Sequence, residues 1–495
     1  MTVATPPPGA TTQPYRPLTA TELARRYRTG EDGPVAAVER TLAAARAQQA
    51  LEPPLGAFLH TLDADARAAA ADSAARLAAG RARSPLEGIP IAVKDVFDVA
   101  GHATSNGTRL PAAPARSDAA AIERLRAAGA IVIAKANLHE LGAGATGINP
   151  SRGTARNPHD PSRMCGGSSS GSACAVAAEL VPLALGTDAG GSIRTPASLC
   201  GVVGLKPTFG RIARTGWRVL CHSLDTVGTL AHDCADTALL LAALAPGPDP
   251  RDDDTWDGPP LPASDAAAAA AQRPIDDLRI GIDRKLLAGA LVEPAVAAAI
   301  ERAVARLAQL GAAVREVELP DPDVVRLIGL VILGAEGGSA FHHHFGAEAI
   351  PALGADLQLL MAASRHMLAG DYLHALRLRA DVRAAYLELL RPPGPDADCD
   401  VLVMPAAGCV APAILPGDLG HGVVDDTVTR LLVSHTFASN LTGLPALALP
   451  CGYADALPIG MQLVGRPWEE LTLLRVGAAL ERAGASPHRR PARIA

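Results

Sequence analysis

Val181-Pro182-Leu183-Ala184-Leu185 is an apolar run that breaks into Gly186-Thr187-Asp188-Ala189-Gly190-Gly191 and then presents Ser192-Ile193-Arg194. Before it, Ser172 to Leu180 has helical spacing, so the stretch reads as helix, strand, tight turn. The alternation recurs outward. Gly88-Ile89-Pro90-Ile91-Ala92-Val93 is a short apolar run ending abruptly in Lys94 and Asp95, a buried strand that carries Lys94 to a sheet edge. Ala119 to Ala130 reads as a helix and Ile131 to Ala134 as a strand. Arg279 to Asp283, Glu293 to Leu310 and Ala313 to Leu319 repeat strand, helix, strand. Strands at Val401 to Met404, Ala446 to Leu449 and Gly460 to Val464 precede a helix from Glu469 to Ala483. Such alternation predicts an α/β fold, with helices covering both faces of a large, mixed but mostly parallel, twisted sheet.

Residues 1–80 read as a Thr/Pro-rich tail followed by a helical layer, and residues 81–245 as the core that holds both glycine-serine clusters. The Pro/Asp/Ala-rich residues 246–277 read as an exposed excursion. Residues 278–495 complete the same single domain and its pocket. At 495 residues, 48% hydrophobic and 19% charged, the chain has the composition of a globular protein with a large core. A net charge of −6 and only 3% aromatic residues argue against a nucleic-acid partner. No basic and apolar leader is visible in Met1 to Arg16, and no uninterrupted apolar run spans a bilayer. The eight cysteines include no CxxC pair, so a reducing cytoplasm is expected.

The second glycine-serine cluster, Gly166-Gly167-Ser168-Ser169-Ser170-Gly171-Ser172, complements the turn at Ser192. Glycines let a turn aim several N–H groups at one point, as an oxyanion hole requires. A serine hydroxyl is a poor nucleophile until a base takes its proton. No histidine lies in either cluster, but a lysine serves if burial lowers its pKa, and Lys94 ends an apolar strand.

The motifs Gly88 to Asp95, Cys165 to Ala173, Leu185 to Ala197 and Cys200-Gly201-Val202-Val203-Gly204-Leu205-Lys206-Pro207-Thr208 closely resemble the amidase signature family. The resemblance is strong over Pro85 to Leu230 and weaker elsewhere. It implies the amidase signature fold and a Ser-cisSer-Lys triad of Ser192, Ser168 and Lys94, with a cis peptide bond before Ser168. It places oxyanion donors on the amides of Ala189, Gly190 and Gly191, with the Ser192 amide assisting. Gly167, Ser169, Asp188 and Arg194 are expected in support. It further implies an acyl-enzyme hydrolase of carbon–nitrogen bonds in amides, carbamates (urethanes) or ureas, with side esterase activity and neither cofactor nor metal. A homodimer is expected. Ser170 stands where many members have glycine and Cys165 where proline is frequent, so both are expected at the site's rim. Pocket walls are expected from Gly142 to Ile148, Trp217 to His222 and Leu327 to Leu376.

Other readings compete. Gly167-Ser168-Ser169-Ser170-Gly171 matches a nucleophile elbow centred on Ser169, but loop residues precede it where the elbow needs a strand. His342, His343 and His344 invite a metal, yet adjacent helix positions diverge by about 100° and do not converge as ligands. Cys165 lacks a histidine to activate it. His139 and Glu140 read as an anchor beneath the site. A glutaminase subunit of an amidotransferase is the alternative function, and a binding protein that keeps the fold is a third reading. Ser192→Ala is expected to abolish labelling by a fluorophosphonate while Ser169→Ala keeps it. Mass spectrometry of the labelled peptide decides, since the elbow requires the opposite ranking.

Overall fold

The apolar runs assemble into one sheet of eleven strands in the computed structural model, which describes Tyr15, residues 17–391 and residues 399–492. The rest of the Met1 to Arg16 segment lies outside the described residues. The strands are β1 (Phe58–Thr61), β2 (Pro90–Lys94), β3 (Ile131–Ala136), β4 (Leu183–Asp188), β5 (Val203–Lys206), β6 (Thr226–Ala231), β7 (Arg279–Ile282), β8 (Ala313–Glu316), β9 (Val401–Pro405), β10 (Ala446–Ala454) and β11 (Leu457–Gly465). Their order is β1-β3-β2-β4-β6-β5-β10-β11-β9-β7-β8. Strands buried on both faces need apolar residues at successive positions, which is why β2 and β3 read as unbroken runs. Ile91 and Val93 pack into one core cluster and Ala92 into the other, and Leu183 and Leu185 are divided from Ala184 in the same way.

The sheet is mixed and helix-covered as expected, but it is not mostly parallel. The pairs β2–β3, β2–β4, β7–β8 and β7–β9 are parallel; the other six pairings are antiparallel. Helix-strand alternation reports connections and not neighbours, so it misses that β4, β6, β5, β10, β11 and β9 reverse direction in turn. β10 and β11 form a hairpin across Asp455 and Ala456, with Asp455 at φ 53, the left-handed backbone that a two-residue hairpin turn demands.

Other boundaries shift. The N-terminal segment contributes an edge strand, β1, as well as helices. β5 and β6 carry no strong apolar alternation, and the sequence patterns do not predict them. β4 runs on to Asp188, which shortens the turn expected from Gly186. β2 lies between β3 and β4, so Lys94 sits at the end of an interior strand and not at the sheet's edge. Within the expected excursion, the helix Ser264–Ala270 packs on Cys234–Leu244 and buries Ala267 and Ala271. The helix Pro294–Gln309 starts on proline and buries Val296, Ala299, Ile300, Ala303, Val304 and Leu307, the stripe its sequence predicts.

The helix Pro322–Phe345 is long and apolar enough to cross a bilayer by length and composition, although Arg326 and Glu336 interrupt its apolar run, as the sequence reading expects of every such run. Half of its most apolar window is buried in protein, with Val325, Ile328, Ile332 and Phe341 in the interior, and that packing accounts for its composition. It forms a helical layer with Ala355–Ser364 and Ala369–Leu389. Leu463→Ala, in the middle of β11, is expected to cost about 2 to 5 kcal/mol in urea unfolding. Leu359→Ala, on an exposed helix face, should change stability by no more than about 0.5 kcal/mol.

Candidate active site

β2 delivers Lys94 into the interior with no exposed surface. Its Nζ lies 2.6 Å from Ser168 Oγ and 2.7 Å from Thr187 Oγ1. Burial pushes the amine down to about 7, against the opposing pull of the Asp225 and Asp188 charges. Ser168 is fully buried and follows a cis peptide bond from Gly167, at the position the resemblance implied. Gly142 covers the pair: a Cβ there would stand 3.7 Å from both Lys94 Nζ and Ser168 Oγ.

Ser192 stands between β4 and the short helix Arg194–Cys200, partly exposed among buried neighbours. Its carbonyl accepts the Ser169 N–H at 3.0 Å, which ties the two serine clusters together through the backbone. Lys94 and Ser168 are thus joined side chain to side chain, whereas the Ser192 hydroxyl has no hydrogen-bond partner among the described residues. Ser169 braces the loop, its Oγ donating to the Thr187 carbonyl at 3.2 Å, and Ser172 Oγ donates to that of Leu185 at 2.8 Å.

The turn is held by a buried ion pair. Arg194 Nε and Nη2 donate to the two carboxylate oxygens of Asp188 at 3.0 and 2.9 Å. The rest of the guanidinium donates to the Thr436 carbonyl, Gln462 Oε1 and Asn440 Oδ1. Burial alone would raise the Asp188 carboxyl, but Arg194, Lys206 and the Asn440 amide hold it well below the usual carboxylate range. Asp188 also accepts the N–H groups of Gly191 at 2.7 Å and Ile193 at 3.1 Å. Of the expected oxyanion donors, Gly191 is therefore already engaged by Asp188. The amides of Ala189, Gly190 and Ser192 have no acceptor among the described residues. Gly191 has φ 127 and a Cβ there would meet Thr436 Oγ1 at 2.3 Å, so the turn admits no side chain.

Asp225, absent from the sequence-derived set, accepts the amides of Leu220 and Cys221 at 2.9 Å, and burial pushes its carboxyl up to about 6. A cavity of about 600 Å³ lies beside that loop, bounded by Leu220, His222, Glu336, His343, Met367 and Tyr372. Two of the three expected wall segments supply it; of Gly142 to Ile148, Gly142 instead lies over Lys94 and Ser168 and Gly147 packs on Gly166 and Ser170. The cavity does not reach Ser192 itself. Its helix Pro322–Phe345 abuts the Ser192 turn through Phe437, which packs on both Gly329 and Gly190. His343 and His344 face the cavity, and among the described residues no three His, Cys, Asp or Glu side chains form a metal-ligand set. Cys165 and Ser170 are fully buried and not at the rim; Ser170 packs on Gly147.

Thr187, Thr436, Asn440 and Gln462 are further site-builders that the sequence patterns do not reveal. The one signal for Thr187 is its place in the glycine-serine cluster, and the others lie more than 240 residues along the chain from Asp188. Arg194→Leu leaves the Asp188 charge uncompensated in the interior, and is expected to cost about 3 to 5 kcal/mol in denaturant unfolding.

A family model described as Amidase matches residues 39–474. A glutamyl-tRNA(Gln) amidotransferase subunit of Chloroflexus aggregans is 38% identical over 482 residues, covering 93% of this chain and 95% of that one. Fatty acid amide hydrolase of Medicago truncatula is 38% identical over 449 residues, 89% of this chain and 72% of the relative. The structure of native peptide amidase from Stenotrophomonas maltophilia superposes with a TM-score of 0.78 at 30% identity, covering 98% of this chain and 99% of the other. The chain therefore belongs to the amidase signature family of hydrolases.

Proposed function

We propose that the enzyme cleaves carbon–nitrogen acyl bonds of small molecules through Ser192, Ser168 and Lys94, by way of an acyl-enzyme. The observation that carries this reading is the 2.6 Å contact between Ser168 and a fully buried Lys94 whose amine is shifted down to about 7. Neutral Lys94 accepts the Ser168 proton as Ser168 accepts that of Ser192, and Ser192 Oγ bonds to the acyl carbon. The oxyanion forms against the unengaged amides of Ala189, Gly190 and Ser192. Lys94 returns the proton through Ser168 to the leaving nitrogen, the C–N bond breaks, and water hydrolyses the ester left on Ser192. Amides fit best, with carbamates and ureas as further substrates. Esters react as well, because an alkoxide leaving group needs less proton assistance than an amine.

A second reading, a glutaminase subunit supplying ammonia inside an amidotransferase, is favoured by the Chloroflexus aggregans relative. A hydrolysis screen of the purified chain separates the two. Turnover of aryl and alkyl amides above that of glutamine supports the first, and glutamine turnover that rises only with added partner subunits supports the second.

The pH profile tests the base. Only the neutral amine accepts a proton, so acylation by amides should rise with pH through about 7 and level off above it. Lys94→Ala should remove that limb and lower the acylation rate by about 10² to 10⁴-fold. An unchanged profile in this variant would overturn the assignment of Lys94.

A further inference from the structure

After β3 the chain passes directly over the Lys94–Ser168 pair, and three consecutive residues of that passage, His139, Glu140 and Leu141, each hold the helical layer. The backbone side of the contact is short. The His139 N–H donates to the Ser168 carbonyl at 3.0 Å, and the Leu141 N–H to the Asn106 carbonyl at 2.8 Å. Asn106 in turn donates its N–H to the Asp95 carbonyl, next to Lys94. Gly142 then closes over Lys94 Nζ and Ser168 Oγ.

The side chains point the other way, into the layer that walls the cavity. His139 Nε2 lies 2.9 Å from Asp356 Oδ2. Glu140 Oε2 accepts the Gly354 N–H at 2.7 Å, while its other oxygen accepts Ser151 Oγ at 2.5 Å. Leu141 is buried in a cluster with Phe341, Leu353, Leu357 and Met361, supplied by the helices Pro322–Phe345 and Ala355–Ser364 and the turn before the latter. Leu141 has φ 57, a left-handed backbone that a residue with a branched side chain adopts only where its surroundings hold it. That turn of backbone is what brings Gly142 onto the pair.

We infer that His139, Glu140 and Leu141 are positioning residues, a three-point clamp through which the helical layer around the cavity presses Gly142 and Ser168 onto Lys94. The inference rests on the proposed roles of Ser192, Ser168 and Lys94. It couples the cavity to the chemistry: the helices that contact a bound substituent also set the proton-transfer distance and keep water from the lysine. Removing the clamp should slow acylation more than it weakens binding, because a reacting group displaced by about 1 Å costs on the order of 10²-fold in rate.

The test measures kcat and KM for one aryl amide, the rate of fluorophosphonate labelling at Ser192, and the acid limb of the rate profile. The variants are Asp356→Ala, Asp356→Asn, Leu141→Ala and Glu140→Gln. Asp356→Ala and Leu141→Ala should lower kcat and labelling by about 10- to 100-fold with KM within about 3-fold. Their acid limb should move upward, since water reaching Lys94 relieves its desolvation while the facing Asp225 and Asp188 charges remain. Asp356→Asn and Glu140→Gln keep shape and an acceptor oxygen, and should recover most of the rate. If the other two fail to fold, His139→Gln, which takes the imidazole from Asp356 at similar size, carries the comparison and should show the same loss of kcat and labelling. A purely architectural anchor would lower the unfolding temperature and leave kcat, labelling and the limb of the folded variants unchanged. That result, or a raised KM at unchanged kcat, overturns the clamp. Failure of the wild-type enzyme to label at Ser192 would instead overturn the proposed nucleophile.

Discussion

Taking the Lys94 amine out of water constrains much else in this structure. A charged ammonium with no exposed surface is costly, and here it has two hydroxyls as near partners, with carboxylates only at longer range, so the neutral form gains. Achieving this requires an interior strand, a lid without a side chain and a partner loop at hydrogen-bond distance. β2 between β3 and β4 supplies the first, Gly142 the second and the Gly167–Ser168 loop the third. On the neighbouring strand β3, Lys135 is equally buried but has the Asp95 carboxylate at 2.9 Å. Two fully buried lysines on adjacent strands thus differ in whether a carboxylate stands beside them.

The Ser192 turn depends on a different solution to buried charge. Asp188 and Arg194 are both fully buried, and their desolvation is offset because nearly every polar atom finds a partner. Those partners come from β11, from the helix Phe437–Thr442 and from the turn itself. The C-terminal half therefore takes part in shaping the Ser192 turn. One continuous sheet, with β5 against β10, brings the two halves together.

The helical layer of Pro322–Phe345, Ala355–Ser364 and Ala369–Leu389 stands outside this arrangement and bounds the cavity. Glu336 in this wall accepts the Ser223 N–H and hydroxyl and the Tyr372 hydroxyl, which braces the wall against the loop before β6. Family membership accordingly says more about how the bond is cut than about which substituent the cavity accepts, because Lys94 ends β2 and the two serines lie in loops beside it, whereas the helical layer bounds the cavity.

The amino-acid sequence by itself determined the α/β class, most strand and helix positions, and the identity of Lys94, Ser168 and Ser192 as the residues to examine. It did so because buried strands, helical stripes and glycine-serine turns are local patterns, and because the combined motifs are specific to one family. Tertiary structure alone decided the antiparallel majority of pairings, the engagement of the Gly191 amide by Asp188, and the roles of Thr187, Asp225, Asn440 and Gln462. It also placed His139, Glu140 and Leu141 between the Lys94–Ser168 pair and the helical layer. Neighbour order in a sheet and the direction of an N–H group are set by atoms far apart along the chain. No local pattern carries that information.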